Sequence, residues 1–352
     1  MDGKEISLDD YKQASRKKSL LLVCLGIALV AIALFSITIG GVHIGMSEVV
    51  HYIFHPDSST KSIVIWDWRI PIAVGAIVIG MALGMAGAVM QCILRNPLSS
   101  PYTLGLSNAA AFGASLGILA TEQLIPGGFG GAFFTTAMAF TWAMVATGFI
   151  ILMAKYTSMS PEAMILAGVA ISSIFSAAVS AFQYFATDSA LASIVYWQFG
   201  DLTKLSWDEI YVLISITIAC SVYFIYKRWD YNALDAGDET ARCLGVNINS
   251  TRIVSMVLAA VMTSVAVSFV GVIGFIGLLG PHIVRRVVSS DHRYLLPGSM
   301  LVGALILLLS TIVSQNAFSF VMPVGIITSF MGGPLFLVIL LRNYRRKGAF
   351  RC

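Results

Sequence analysis

Charged residues are scarce in this sequence. Asp, Glu, Lys and Arg make up 11% of its 352 residues, whereas hydrophobic residues make up 57%. This composition excludes an ordinary soluble domain, because such domains carry about a quarter of their residues as charges. The apolar runs also reach the roughly 20 residues that one spanning helix requires. The sequence therefore predicts an all-α, polytopic integral membrane protein.

Long apolar runs divide the chain into about ten predicted spans. The run 253–284 contains one titratable residue and the run 295–341 contains no Asp, Glu, Lys, Arg or His. At about 1.5 Å per residue each run is too long for one span, so each must break. We predict the breaks where glycine or proline occurs: Gly271, Gly274 and Gly277 in the first run, Pro323 and Gly325 in the second. The predicted spans are 19–39, 71–91, 102–120, 132–153, 162–186, 208–226, 252–271, 273–288, 295–316 and 323–342.

The basic residues predict the orientation of these spans. With the N-terminus inside, ten spans place 19 of the 22 Lys and Arg residues in cytoplasmic segments, as the positive-inside rule requires. Only Lys61, Arg69 and Lys204 fall outside. We therefore expect a multi-pass protein of the cytoplasmic (inner) membrane, with the tail 1–18 and the basic tail 343–352 both cytoplasmic. The first apolar run is too long for a secretory signal and is predicted to be retained.

Asp, Glu, Lys and Arg are missing from the middle of every predicted span. Ion-coupled carriers commonly keep such residues near the membrane centre despite a cost of ~2.5–3.5 kcal/mol each. Their absence argues against an ion-coupled secondary carrier or channel, the alternative from another functional class. The Gly-rich loop ending in Lys-Ser/Thr that holds nucleotide phosphates is also missing. Transport must then be powered by another subunit or be passive.

Two local patterns are compatible with catalysis or metal binding, and we favour a structural interpretation of both. The segment GASLG at 113–117 matches a serine-hydrolase pattern around Ser115. It lies in a predicted span, where small residues four apart are common packing devices. His43, His51 and His55 lie in the first external segment, where weak metal binding competes with a solvated interfacial helix, which we favour. The five cysteines are odd in number and imply no disulfide framework. We predict no catalytic residue and no metal ligand.

Six distinctive segments follow one another along the chain. They are WDWRIP at 66–71, GMALGMAGAVMQCILRNPLSSPYTLGLSNAAAFGA at 80–114, WQFGDL at 197–202, ALDAGDETARCLGV at 233–246, VGVIGFIGLLGPHIVRRVVSSDHRYLLP at 270–297 and PVGIITSFMGGPLFL at 323–337. They resemble the FecCD family of permeases, which serve iron–siderophore, haem and vitamin B12 importers, and the resemblance covers nearly the whole chain. The resemblance implies a ten-span permease domain over 19–342 with the type II ABC importer fold. Gly80, Gly84 and Gly87 are expected to allow close helix packing.

The resemblance assigns a role to the polar segment at about 232–246, between spans six and seven. In the family, the matching cytoplasmic coupling helices insert into a groove of the ATPase and transmit its closure. The expected docking residues here are Gly237, Asp238, Ala241, Leu244 and Gly245. Without the resemblance, a solvated cytoplasmic loop is the simpler interpretation of this segment.

On the external side, the resemblance implies docking of a soluble binding protein onto permease arginines. This sequence departs from the family pattern, because Arg69-Ile70-Pro71 is followed by Ile72 where many members have a second arginine. Met322 also stands where Glu is frequent. We therefore expect electrostatic docking to be weaker or to rely on Arg69, Lys61 and Lys204, with a marked dependence on salt.

The fifth predicted span carries Ser172, Ser176 and Ser180 at four-residue spacing, with Gln183 beyond them. Residues at this spacing share one helix face. The serines could line a neutral translocation pathway, which in the family borders the dimer interface. Packing within the helix, with hydroxyls bonded to the backbone, is at least as good an explanation.

These expectations combine into one predicted assembly. A homodimer of this chain would lie in membrane lipid with two ATP-binding subunits and an extracytoplasmic substrate-binding protein, without nucleic acid. The chain itself would hold no cofactor, since ATP and Mg²⁺ would be bound by the ATPase. The expected cargo is an iron–siderophore-type metal chelate, with cobalamin or haem as the alternative.

Overall fold

The chain is all-helical in the part that the structure describes. This computed structural model describes the backbone of residues 8–42, 44–124, 131–157, 160–317 and 320–348, and the side chains within these ranges up to residue 338 except those of residues 8, 123 and 124. The helices are α1 Leu8–Thr38, α2 Met46–Phe54, α3 Thr60–Ile63, α4 Ile70–Ile93, α5 Leu106–Leu124, α6 Gly131–Tyr156, α7 Pro161–Phe185, α8 Asp188–Gln198, α9 Trp207–Tyr226, α10 Arg228–Asp235, α11 Asp238–Cys243, α12 Ile248–Val270, α13 Ile276–Val287, α14 His292–Asn316 and α15 Val324–Gly348. The predicted all-α class is confirmed.

Within the described ranges, seven helical segments are long and apolar enough to cross a membrane. One of them, Thr60–Ile93, joins α3 to α4 through a wide helical turn at Val64–Arg69. The other predicted spans correspond to α5, to α13 with 12 residues, and to α15, whose apolar part is Val324–Val338. A membrane-spanning bundle is therefore shown, whereas the number of ten stays a prediction.

The run 253–284 breaks where its glycines predict. After α12, Gly271 has a φ of +82° and Phe275 a φ of +68°. A Cβ at Gly271 would lie 2.1 Å from the carbonyl oxygen of Trp197, so both the backbone angle and the close approach require glycine there. Gly277 lies inside α13 rather than in the break. The helix α13 then packs against α4 and α14.

The centre of the bundle is α4. It packs against α9, α12, α13 and α14, and most of its side chains are buried. A Cβ at Gly80, Gly84 or Gly87 would come within 2.5, 2.1 and 1.8 Å of backbone oxygens on α13 or α14. Such close backbone approach is a main source of cohesion between helices in lipid. The predicted packing role of these glycines is confirmed.

Two helices lie at the periphery. The helix α1 packs mainly on α14 and exposes a wholly apolar stripe that includes Leu20, Val23 and Ile27. The helix α7 packs on α5 and α6 with one side and leaves its other side exposed. The exposed side of α7 therefore has no covering element among the described residues.

Candidate functional site

The predicted coupling segment forms two short helices, α10 and α11, joined at Gly237. Gly237 has a φ of +122° and Gly245, just after α11, has a φ of +80°, so each ends or begins a turn that a larger residue would strain. Ala241 lies on the inner side of α11 and is fully buried, whereas Leu244 is 68% exposed. Of the five predicted docking residues, Leu244 and Gly245 thus lie on the surface.

Asp238 faces the protein rather than solvent. Both of its carboxylate oxygens accept hydrogen bonds from Nη2 of Arg252, at 2.9 and 3.1 Å, and Arg95 lies 3.7 Å away. Arg252 is 3% exposed and its Nε donates to the carbonyl oxygen of Ile93, at the end of α4. The carboxylate therefore fastens α11 to α12 and α4, which is a stronger tie than a surface ion pair because Arg252 is buried.

The helix α10 is fastened to α14 by a second polar cluster. Asn232 donates to Oδ1 of Asp291, and its own Oδ1 accepts from the backbone N–H of His292. Burial opposes ionisation of Asp291, but hydrogen bonds from Arg293 and Asn232 outweigh it and lower the pKa of Asp291 to about 2. The Asp291 carboxylate also caps α14. We call the end of the bundle with Arg95, Arg252 and Arg293 the basic end.

The serines of α7 divide between two environments. Ser176 and Ser180 are exposed, and Ser180 donates to the carbonyl oxygen of Ser176. Ser172 and Gln183 are half-buried, and Ser172 accepts a hydrogen bond of 2.7 Å from Asn108 on α5. With 3.6 residues per turn, a four-residue repeat drifts by about 40° per step, so Ser172 falls at the edge of the exposed face. Ser173, which sequence reasoning missed, lies on that face.

At the opposite end, two of the three predicted docking residues have internal partners. Arg69 donates to the carbonyl oxygens of Ile37, at 2.7 Å, and Val42, which fastens α4 to the end of α1. Lys61 pairs with Glu48 at 2.6 Å. Lys204 borders a cavity of about 700 Å³ between α5, α6, α8 and α9. The three cations do not form one cluster.

The two weak sequence patterns stay without a site. Ser115 is buried and donates to the carbonyl oxygen of Ala111, while a Cβ at Gly113 or Gly117 would collide with α6, which confirms the packing interpretation. The rings of His51 and His55, at the end of α2, are exposed and lie 5.4 Å apart with a tilt of 43°. The carboxylate of Asp57 accepts hydrogen bonds from the backbone N–H and the hydroxyl of Ser59. His43 lies outside the described residues.

Sequence reasoning also missed the residues that hold the coupling segment. Arg252 was counted only as a basic residue at a span end, and Asn232 and Asp291 received no role. One signal was available for Arg252, because an arginine at the first turn of a long apolar helix needs an anionic partner. Asp238 is an acidic residue in the segment just before that helix.

Comparison with known proteins shows the family. The FecCD transport family matches residues 28–342. A protein of Methanocaldococcus jannaschii named as an ABC transporter permease is 44% identical over 96% of this chain and 98% of its own length. The hemin transport system permease protein of Yersinia pestis is 32% identical over 93% of this chain and 97% of its own.

A solved structure gives the same result. A metal-chelate type ABC transporter in an inward-facing conformation matches with a TM-score of 0.81 and 29% identity, over 92% of this chain and 99% of that one. An ion-coupled carrier is thereby excluded. This chain belongs to the FecCD transport family and is the membrane-spanning permease of an ABC importer, a transport subunit whose ATP is hydrolysed by a separate ATPase.

Proposed function

We propose that this permease carries an iron–siderophore-type metal chelate across the cytoplasmic membrane. It would do so as a homodimer, with two ATPase subunits at the basic end and a substrate-binding protein at the opposite end. Both termini and the basic end would face the cytoplasm. The positive-inside distribution of Lys and Arg supports this orientation.

The observation that carries the proposal is the exposed face of α7. Ser173, Ser176 and Ser180 lie on it, with Ala177 between them and no charged residue in its middle. Lipid-facing helices are usually apolar there, as α1 is. A neutral, weakly polar wall between two copies of α7 would let a bulky chelate pass without binding it tightly. Pathway residues are therefore proposed at Ser176 and Ser180, with Ser172 and Gln183 at the margin.

The proposed mechanism is alternating access driven from the basic end. Leu244 and Gly245 would contact the ATPase, and the pair of Asp238 with the buried Arg252 would transmit the displacement of α11 to α12 and α4. The two ATPases would bind one conformation of the permease more tightly when ATP closes them. That differential affinity is what shifts the membrane equilibrium. Gly237 and Ala241 would position α11 rather than touch the partner.

Haem and cobalamin are the alternatives for the cargo. Each has support among the relatives, since the Yersinia pestis relative is a hemin transport permease and a vitamin B12 import permease of Citrobacter koseri is 34% identical over 82% of this chain. All three cargoes are bulky metal chelates that a neutral wall would accommodate.

Reconstituted transport tests this function. The permease, its ATPase and its binding protein would be placed in liposomes, and ATP-dependent uptake of a ferric siderophore, hemin and cobalamin would be compared. We expect uptake of the ferric siderophore. Uptake of hemin or cobalamin alone would show that the proposed cargo is wrong, while the importer function would still hold. ATP-independent flux through the permease alone would contradict the proposed mechanism.

The coupling surface is tested in the same vesicles with Leu244→Asp. Because Leu244 is exposed, this variant should fold normally yet lose ATP-driven uptake and co-purification with the ATPase. The matched control is Tyr226→Asp, which is also exposed at this end but lies outside the coupling segment. Normal uptake by Leu244→Asp would remove Leu244 from the proposed interface.

A further inference from the structure

We propose that Cys92, Asp235 and His292 form a binding site for one divalent transition-metal ion of the zinc type. The three residues lie at the end of α4, the end of α10 and the start of α14. One ligand atom from each, a thiol sulfur, a carboxylate oxygen and an imidazole nitrogen, lies within 4.8 Å of both others. Their wide separation in sequence explains why no motif revealed the site.

The spacing of the ligand atoms is close to that around a bound ion. Two ligands at zinc bond lengths of about 2.0–2.3 Å lie roughly 3.3–3.6 Å apart in a tetrahedral site. Nδ1 of His292 and Oδ2 of Asp235 are 3.6 Å apart. The sulfur of Cys92, within 4.8 Å of both other ligand atoms, would need to move by at most about 1.5 Å to complete three ligands, a shift within the range of one side-chain rotation.

The site is built into the protein and open on one side. Cys92 is 1% and His292 0% exposed, whereas the Asp235 side chain is 40% exposed and offers a route for entry. Nε2 of His292 is buried and has no hydrogen-bond partner in the described part of the chain. The thiol of Cys92 contacts the carbonyl oxygen of Tyr231 at 3.5 Å and also interacts with the side chain of Asp235. Nδ1 of His292, the nitrogen that faces Asp235, lies 3.2 Å from Oδ1 of Asn232, and binding would exchange this contact for a bond to the ion.

Ligand chemistry selects the metal. Thiolate and imidazole ligands suit Zn²⁺ and disfavour Mg²⁺ and Ca²⁺, which require several oxygen ligands. A fourth position is available to Oδ1 of Asn232, which lies 3.2 Å from Nδ1 of His292, or to water.

Charge balance is also favourable. Binding would displace one proton from the Cys92 thiol, so the ion, one thiolate and one carboxylate would be neutral together. Arg285 interacts electrostatically with Asp235 and Cys92. Its guanidinium is held by Oε1 of Gln91, and it neutralises Asp235 when no metal is bound. This charge lowers the metal affinity without excluding the metal.

Occupancy would connect three elements through one ion. It would fix α10, the first helix of the coupling segment, to α4 and α14. The ion would be a resident ligand, and the inference does not depend on which chelate is transported.

Cobalt titration of the purified full-length permease tests the site. Co²⁺ stands in for Zn²⁺ in tetrahedral sites and shows a thiolate-to-metal charge-transfer absorption. We expect this absorption to saturate at about one Co²⁺ per chain and to disappear on addition of Zn²⁺. Cys92→Ser should abolish it, and Asp235→Asn should retain it while weakening binding by about tenfold or more.

Two other thiols provide the controls. Cys220→Ser removes a buried thiol of α9 and Cys243→Ser removes an exposed thiol of α11, and both should titrate like the unmodified protein. If Cys92→Ser does not fold, the cobalt affinity of Asp235→Asn still tests the site, because the partly exposed side chain of Asp235 can be replaced without disturbing the fold. Absence of the absorption, its survival in Cys92→Ser, its loss in Cys243→Ser, or unchanged affinity in Asp235→Asn would each overturn the proposal.

Discussion

The helices α4 and α7 are both apolar and of nearly equal length, with 24 and 25 residues, yet they occupy opposite environments. In the most apolar 18-residue window of each span, 83% of residues are buried for the segment containing α4 and 11% for α7. Hydropathy alone therefore identifies a helix as membrane-spanning without showing whether other helices or something else will cover it.

Glycine spacing accounts for the difference. On α4, Gly80, Gly84 and Gly87 let α13 and α14 approach until backbone oxygens would touch an added Cβ. On α7, Ser173, Ser176 and Ser180 occupy an exposed face that no described helix approaches. In a bilayer, where burial of apolar surface hardly drives association, this close contact decides which helix becomes central.

The ends of the two helices differ in the same way. Arg69 fastens the start of α4 to the end of α1, and Arg252 donates to the carbonyl oxygen of Ile93, the last residue of α4, at the basic end. By contrast, α7 begins with its own cap at Ser160 and ends near Thr187, which caps α8. The helix α4 is thus a fixed axis, and α7 is free to contact a partner. Four substitutions test this contrast, from the largest expected loss of stability to the smallest.

Gly87→Ala should damage the fold most. The new Cβ would lie 1.8 Å from the carbonyl oxygen of Gly277, so α4 and α13 must separate, at a cost of about 3 kcal/mol or more. Thermal unfolding in detergent should show a large fall in the midpoint temperature, and purification should yield little monodisperse protein. Gly148→Ala on α6, where nothing lies within 4 Å, should be neutral. Equal stability of both variants would contradict the central role of α4.

Asp238→Asn should have the next largest effect. It removes the charge that balances buried Arg252, and loss of hydrogen bonds to a charged group costs about 1–3 kcal/mol. ATPase stimulation by substrate in the assembled transporter should fall as well, because α11 loosens from α12. The control Asp230→Asn breaks a partly exposed pair with Lys227 and should cost no more than ~1 kcal/mol. Equal stability and equal ATPase stimulation in Asp238→Asn and Asp230→Asn would show that Asp238 does not anchor α11.

Sequence reasoning predicted the helices better than the contacts between their ends. The break near Gly271 and the packing glycines of α4 were predictable because backbone geometry there allows few alternatives. Partners of charged residues were not, since Arg69 and Asp238 looked like surface residues on span ends. A carbonyl such as that of Ile37 leaves no trace in composition. Likewise, the cluster of Cys92, Asp235 and His292 arises only when three distant helices meet.

Arg69→Gln should have a smaller effect than Asp238→Asn. It removes charge-assisted bonds to the carbonyls of Ile37 and Val42, although both acceptors can be rehydrated at this end, which limits the cost to about 1–2 kcal/mol. If the internal role dominates, binding-protein affinity should keep its salt dependence. Lys204→Gln, which removes a cation beside a cavity, should reduce that dependence without loss of stability. If Arg69→Gln reduced the salt dependence of binding-protein affinity and Lys204→Gln did not, Arg69 would be the docking residue.

Ser176→Leu should leave stability unchanged and still slow transport. Ser176 is exposed on α7, so a larger apolar side chain has room in the isolated chain and suits lipid. In the proposed homodimer the same side chain would crowd the wall between two copies of α7. An added barrier of ~1–3 kcal/mol corresponds to about 5- to 150-fold slower ATP-dependent uptake. Ala31→Leu, the matched change on the exposed side of α1, should alter neither quantity. Normal uptake by Ser176→Leu would mean that α7 faces lipid as α1 does, and the pathway would have to be sought elsewhere.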